Sequence, residues 1–194
     1  MNQPYLGSFR ITKLYGTPPP KGMTYSAGKH PGIDLVGVDK QVRAVMAGTI
    51  HRSGYDPSGW GNYIAIKQPD GYYAIYCHLK KRYKSAGQSV QAGEWIGDEG
   101  STGKVTGQHL HFELRKNYGD KYSTVNPTEY LGLVNEVGVA RVVKEQVSDW
   151  AKEAWDWAKE NGILDGTRPK DVVTREELAV ITQRVLLIVK GMVE

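Results

Sequence analysis

The sequence feature that most constrains this chain is segment 108–114, QHLHFEL, in which histidines alternate with apolar residues. In an extended strand, successive side chains point to opposite faces of the sheet. His109 and His111 would therefore share one face, and the leucine and phenylalanine side chains between and after them would share the other. Such a strand buries its apolar face in a core and presents two imidazoles to a cleft, which is typical of a metal or proton-transfer site.

The residues around this segment indicate short strands separated by turns. Apolar or alternating runs lie at 33–38, 42–50, 63–66, 72–79 and 110–114. Gly48 is expected to form a turn within the second run, and residues 69–71 (PDG) form another turn signal. Strands at this spacing, without a long helical period, predict a mostly β domain over residues 1–131, built as an antiparallel or barrel-like sheet.

The pattern changes near residue 132. Residues 132–146 have no clear period and are interpreted as a linker. Beyond them, tryptophan and alanine residues at 150, 151, 154, 155 and 158 fall on one helical stripe, and TREE at 174–177 is typical of a capping box that opens a second helix. Residues 147–194 are therefore predicted to form a small α-helical module, which is short for a core of its own.

Composition excludes several classes of protein. No apolar run approaches the roughly 20 residues of a membrane span, and a single cysteine, Cys77, excludes an intramolecular disulfide and cysteine-rich zinc modules. The net charge of +4 suits anionic polymers, cell-wall polymers included. Lysine and arginine do not cluster with aromatic residues, so nucleic-acid binding is not expected. Residues 1–5 lack a basic flank and an apolar core, so no signal peptide is expected.

The five histidines and one aspartate suggest a metal site. His30 and Asp34 are four apart, and the intervening proline and glycine argue against a helix, but a loop that runs into a strand would bring both side chains to one ion. Two nitrogen donors and one oxygen donor, with a position left for water, form a catalytic zinc site. Spacing leaves open whether His109 or His111 is the third ligand. In such a site the ion lowers the pKa of the water to about 7 and polarises a scissile carbonyl.

The remaining histidines have other expected roles. His78 and the unligated histidine of the 109/111 pair would transfer protons or donate hydrogen bonds beside the water. His78 ends the alternating run 72–78, where alternation puts it on the face of Tyr76, with Cys77 facing the other way. Cys77 is therefore expected to pack in the core rather than act as a nucleophile. His51 is interpreted as a structural or surface residue.

Five motifs together resemble the lysostaphin-like zinc metallopeptidases, also called LytM-like or glycyl-glycine endopeptidases. They are HPGID at 30–34, WGN at 60–62, YCHL at 76–79, the run 97–107, and HLHFE at 109–113. The resemblance covers residues 9–130 and implies a β-rich peptidase that hydrolyses peptide bonds of bacterial peptidoglycan. It implies Zn²⁺ held by His30, Asp34 and His111. It further implies that His78 and His109 are the catalytic histidines and that Asn62 lines the cleft.

The chain departs from the family pattern at two positions. Cys77 stands where alanine is more usual, and Trp60 stands where tyrosine is more usual, but neither is a ligand. Because every ligand of the pattern is present, an active enzyme is expected. The other interpretation is a non-catalytic wall-binding protein or amidase activator, which would need a broken zinc site.

The C-terminal segment 147–194 is similar to one S-layer-homology repeat, through WAKEAW at 150–155, NGILDG at 161–166 and VTREE at 173–177. The resemblance implies binding of secondary cell-wall polymer, with Thr174 and Arg175 near the ligand. Wall anchoring commonly uses three copies, so a stabilising hairpin or a dimerisation element is the other interpretation. Without a signal peptide, the expected setting is a phage endolysin, then a virion-associated lysin, then a bacterial hydrolase exported by another route.

Overall fold

A computed structural model of the protein describes residues 3–22, 24–25 and 27–140. All of these residues belong to one compact unit, Met1–Val143. The predicted helical module 147–194, with Thr174 and Arg175, lies outside the described residues, as does the end of the predicted linker. Among the described residues we find no helix with the length and hydropathy needed to span a membrane.

The described residues form antiparallel strands and one short helix. In chain order these are β1 (Phe9–Lys13), β2 (Ile33–Gly37), β3 (Gln41–Arg43), β4 (Gly48–Asp56), β5 (Gly61–Lys67), β6 (Tyr73–Cys77), β7 (Lys81–Arg82), β8 (Ser89–Val90), β9 (Trp95–Asp98), β10 (Leu110–Arg115), β11 (Thr124–Val125), α1 (Pro127–Tyr130) and β12 (Gly138–Val139). The larger sheet has the order β12-β1-β2-β10-β6-β5-β4-β8, with β11 also paired to β10, and β3-β9-β7 form a smaller sheet. The mostly β, antiparallel architecture predicted from strand spacing is confirmed.

Strand β10 lies in the middle of the larger sheet, and its two faces differ as the alternation predicts. Leu110, Phe112 and Leu114 are fully buried in the main hydrophobic core. The ring of Phe112 lies 5.1 Å from that of Tyr76 on β6. Burial of a leucine or phenylalanine side chain contributes about 1.5–3 kcal/mol, so this face anchors the strand. The opposite face of β10 carries the polar side chains of His111, Glu113 and Arg115.

Pairing of β10 with β2 brings two segments that are far apart in sequence into contact. In this register Asp34 lies opposite His111, and Ile33 lies opposite Phe112. Gly32 precedes β2, and a Cβ atom at this position would lie 2.2 Å from the carbonyl oxygen of Phe112. Glycine at residue 32 therefore lets the two segments approach closely enough to pair.

Two expectations from the sequence differ from the structure. The run 42–50 is divided between β3 and β4, which belong to different sheets, and Gly48 begins β4 instead of forming a turn. A Cβ at Gly48 would lie 2.4 Å from the carbonyl oxygen of Lys67, so this glycine serves close strand approach. In addition, Leu133 packs in the core and β12 pairs with β1. The β fold therefore continues into the segment predicted as a linker, because a two-residue strand carries no detectable period.

We predict that Gly32→Ala lowers the free energy of unfolding by about 1–3 kcal/mol, because the added methyl group would force β2 away from β10. Denaturant unfolding measures this difference. Gly7→Ala is the matched control, since a Cβ at Gly7 meets nothing within 4 Å. The control is expected to stay within about 0.5 kcal/mol of the parent. Equal stability of the two variants would contradict this reading of the β2–β10 contact.

Candidate metal centre

Three buried side chains converge on one point beside β2 and β10. The Nε2 atom of His30 lies 3.1 Å from Oδ1 of Asp34, and Nδ1 of His111 lies 2.8 Å from the same oxygen. The two imidazole nitrogens are 3.1 Å apart. Each residue offers one ligand atom, and these atoms lie within 4.8 Å of one another. The structure therefore brings together the donor set predicted from the sequence.

The same geometry distinguishes the two histidines that spacing left equivalent. His111 directs Nδ1 at Asp34 Oδ1, whereas Nε2 of His109 lies 3.6 Å from that oxygen. His111 is buried, and His109 is partly exposed. His111 thus belongs to the cluster of ligand atoms, and His109 lies beside it.

Hydrogen bonds hold the two ligand imidazoles in defined orientations. His30 Nδ1 lies 2.9 Å from the carbonyl oxygen of Leu14, and His111 Nε2 lies 3.0 Å from Oε1 of Glu113. A carbonyl oxygen and a carboxylate only accept hydrogen bonds, so these nitrogens must carry the hydrogen. The other ring nitrogens, His30 Nε2 and His111 Nδ1, face Asp34: each hydrogen-bonds to its carboxylate when protonated and would offer a lone pair to an ion once that proton is released.

The charges of the cluster favour a cation. Burial would raise the pKa of Asp34, but hydrogen bonds from His111 and His30 outweigh it and hold that pKa well below its usual range. Burial would lower the pKa of His111, but hydrogen bonds to Asp34 and Glu113 raise it to about 9. The pocket therefore stabilises positive charge between two nitrogens and one oxygen. This donor set fits a divalent metal ion.

His78 reaches the site through an unusual backbone conformation. Alternation along 72–78 placed His78 on the face of Tyr76, and this prediction is wrong: Tyr76 lies in the core, whereas the His78 ring lies 4.9 Å from that of His109 and 5.8 Å from that of His111. His78 follows the end of β6 and has a φ of 62°. This left-handed residue breaks the alternation and turns the imidazole toward the other histidines.

His78 and His109 are oriented in the same way as the ligands. Nδ1 of His78 donates to the carbonyl oxygen of Thr102 at 2.9 Å, and Nδ1 of His109 donates to that of Gly107 at 2.9 Å. Burial, reinforced by the charges of His111 and His109, lowers the pKa of His78 to about 4. A neutral His78 with its hydrogen on Nδ1 leaves Nε2 free to accept a proton.

Cys77 and His51 lie outside the ligand cluster. Cys77 is completely buried and packs with Ala65 and Ile75, which confirms the expectation that it is a core residue. It lies opposite His111 in the β6–β10 register, so it is buried on the same side of the sheet as the candidate ligands. Burial raises the pKa of the Cys77 thiol well above its usual range, which keeps it from acting as a thiolate. His51 is exposed and packs edge-on against the ring of Tyr118 at 4.6 Å.

Asn62 joins strand β5 to the segments that carry His78. Its Nδ2 donates to the carbonyl oxygen of Leu79 at 3.1 Å, and its backbone N–H donates to Oγ1 of Thr102 at 2.9 Å. The neighbouring Leu79 N–H donates in turn to the Asn62 carbonyl at 2.9 Å. Asn62 therefore holds the turn around His78, and its contact with substrate stays a prediction.

Sequence reasoning missed two groups beside the ligands. Glu113 accepts a hydrogen bond from His111, and the alternation that singled out His109 and His111 also places Glu113 on their face, so that signal was present. The ring of Tyr25 lies 5.4 Å from that of His30, and its hydroxyl accepts from Nζ of Lys13 at 2.9 Å. That ammonium lies 4.0 Å from Oδ2 of Asp34. No spacing connects these last two residues to the motifs.

Known proteins resemble this chain in both sequence and fold. The sequence model described as Peptidase family M23 matches residues 28–127. The glycyl-glycine endopeptidase ALE-1 of Staphylococcus capitis is 35% identical over 129 residues, covering 66% of this chain and 35% of that protein. The murein hydrolase activator NlpD of Salmonella dublin is 37% identical over 107 residues, covering 55% of this chain and 27% of that protein. The chain thus spans about a fifth to a third of the curated relatives that it matches.

A solved structure supports the same relationship. The catalytic domain of the antimicrobial peptidase lysostaphin from Staphylococcus simulans has a TM-score of 0.58 and 34% sequence identity to this chain. The match covers 63% of this chain and 92% of that domain. The fold described above is therefore the fold of a known peptidase catalytic domain.

Proposed function

Because this chain belongs to peptidase family M23, we propose that it is a zinc-dependent endopeptidase that hydrolyses peptide bonds of bacterial peptidoglycan. The observation that carries the proposal is the convergence of His30, Asp34 and His111 beside two further oriented imidazoles. Similarity to a glycyl-glycine endopeptidase and to the catalytic domain of an antimicrobial peptidase supports hydrolysis. Glycine cross-bridges, D-alanyl–diaminopimelate cross-links and stem-peptide bonds are the candidate targets.

Three atoms of this chain would hold the zinc ion: Nε2 of His30, Oδ1 of Asp34 and Nδ1 of His111. Bound zinc supplies a water of pKa about 7 and a positive charge that polarises a carbonyl oxygen. The hydrogen bonds at Leu14 and Glu113 keep the two imidazoles in the ligating orientation. The chain therefore contributes two ligand rings whose orientation is set by its own hydrogen bonds.

The other two histidines would handle the proton. With Nδ1–H donated to a backbone carbonyl, His78 and His109 each keep Nε2 for proton transfer. One imidazole accepts the proton of the attacking water and later returns it to the leaving amine. The other would donate a hydrogen bond to the oxyanion that develops on the scissile carbonyl once it carries a second hydrogen, on Nε2. Positioned proton transfer of this kind contributes about 100- to 10,000-fold in rate.

A second candidate function is activation of another wall hydrolase, and the similarity to the activator NlpD favours it. An activator needs the fold but not a working metal site. In this chain the ligand types of the site are all present and buried together. Peptidase activity is therefore the function that the geometry supports best.

Digestion of purified peptidoglycans with different cross-bridges, followed by mass analysis of the fragments, tests the proposal and identifies the bond. We expect the zinc-loaded protein to release fragments without any partner protein. Removal of the metal with a chelator should abolish release, and added zinc should restore it. His109→Ala should reduce the rate by about 100- to 10,000-fold, because the oriented imidazole is lost.

The control variant for this experiment is His51→Ala, which removes an exposed imidazole that packs against Tyr118 outside the cluster. It should digest peptidoglycan at the parent rate. Full activity after verified metal removal would contradict the zinc proposal. A zinc-loaded chain that is inactive alone but accelerates an added amidase would establish the activator function instead.

The biological setting is proposed on the sequence resemblance. An enzyme that cuts wall peptides suits a phage endolysin that passes from the host cytoplasm to the wall. A virion-associated lysin and an exported bacterial hydrolase are the other settings. Each of them places the substrate, peptidoglycan, at the bacterial cell wall.

We also propose that residues 147–194 bind secondary cell-wall polymer through Thr174 and Arg175. The support is the resemblance to one S-layer-homology repeat. A full-length variant with Thr174→Ala and Arg175→Ala should sediment less with intact walls, while still cutting soluble peptidoglycan fragments at the parent rate. Unchanged sedimentation would rule out this role for the two residues.

A further inference from the structure

Glu113 is a buried carboxylate that lies directly behind the metal site. Its side chain is 1% exposed, and both of its oxygens accept hydrogen bonds from protein groups. Oε1 accepts from Nε2 of His111 at 3.0 Å and from the indole Nε1 of Trp60 at 3.2 Å. Oε2 accepts from Nε of Arg115 at 2.8 Å and from its Nη2 at 2.6 Å. Four donors, two of them on a guanidinium, hold this side chain in its charged form.

Arg115 and Trp60 are themselves held in place. The guanidinium of Arg115 lies over the Trp60 ring, 4.9 Å from its centre, and Nη1 donates to the carbonyl oxygen of Tyr118 at 3.1 Å. The backbone carbonyl of Trp60 accepts from the N–H of His78 at 2.8 Å. One connected network therefore touches the ring of His111 and the backbone of His78.

We infer that Glu113 is a positioning residue for the metal, which orients His111 and is itself oriented by Arg115 and Trp60. The inference rests on the proposed function, because it takes His111 to be a ligand. A neutral imidazole carries one N–H, and Glu113 holds that hydrogen at Nε2, so Nδ1 keeps its lone pair for the ion. A carboxylate behind a ligating histidine also increases the basicity of the ligand nitrogen.

Glutamine has nearly the shape of glutamate but does not satisfy this network. An amide offers one oxygen and one NH₂ group, whereas all four nitrogen atoms that contact the Glu113 oxygens are donors. In one orientation the NH₂ group faces His111 and Trp60, and in the other it faces Arg115. Glu113→Gln therefore tests the carboxylate with little change of volume.

The zinc affinity of the full-length protein, measured by competition with a chromogenic chelator, is the readout. We expect Glu113→Gln to bind zinc about 10- to 100-fold more weakly than the parent. Glu99→Gln is the matched control, because Glu99 is also 1% exposed and its carboxylate accepts from Tyr5, Gly37 and Lys40. Both substitutions should lower the free energy of unfolding. At a temperature where the parent and both variants are folded, only Glu113→Gln should change the zinc affinity.

A second variant, Arg115→Lys, keeps the positive charge but removes the guanidinium whose Nε and Nη2 both donate to Oε2 of Glu113. It should weaken zinc binding, but add no further loss to Glu113→Gln, because the hydrogen bonds that connect Arg115 to His111 pass through Glu113. If Glu113→Gln does not fold, the zinc affinity of Arg115→Lys alone tests the inference. Parent-like zinc affinity in the folded variants would overturn the inference. A parent protein that binds no zinc would overturn the proposed function first, so the two failures are distinguishable.

Discussion

The pairing of β2 with β10 is the contact on which the rest of this structure depends. It sets Asp34 opposite His111, and Gly32 permits the close approach. Because side chains alternate along a strand, a slip of one residue would turn His111 into the core and Phe112 out of it. The apolar face of β10 therefore fixes the register that assembles the polar face. Core packing and the cluster of candidate metal ligands are consequences of the same strand.

The site face of β10 buries charged groups, and the fold compensates each of them with a partner. An unpaired buried donor or acceptor costs about 1–3 kcal/mol. Glu113 offsets this cost by accepting from His111, Trp60 and Arg115. The four imidazoles at the site likewise each place one nitrogen on a fixed acceptor, and His30, His109 and His111 have their other nitrogen within 3.6 Å of Asp34 Oδ1. These acceptors are Leu14, Thr102, Gly107 and Glu113. The site is thus preorganised by groups that carry no catalytic chemistry themselves.

The sequence was most informative where one rule applied without interruption. Alternation alone predicted strand β10 and its two faces, and the resemblance selected His111 over His109, which the geometry then separated. Alternation failed at His78, because a left-handed residue is not encoded by any pattern of polarity. The turn expected at Gly48 is also absent, because this glycine permits close packing against Lys67 within a strand. The role of Glu113 depends on Trp60, 53 residues away, and only the folded chain brings them together.

We propose that three side chains from a loop and two strands bind one catalytic zinc ion. Anomalous diffraction at the zinc absorption edge, recorded from crystals of the zinc-loaded protein, tests it most directly. We expect one peak per peptidase domain, in contact with Nε2 of His30, Oδ1 of Asp34 and Nδ1 of His111. A zinc peak on other residues, or none after incubation with zinc, would contradict the claim.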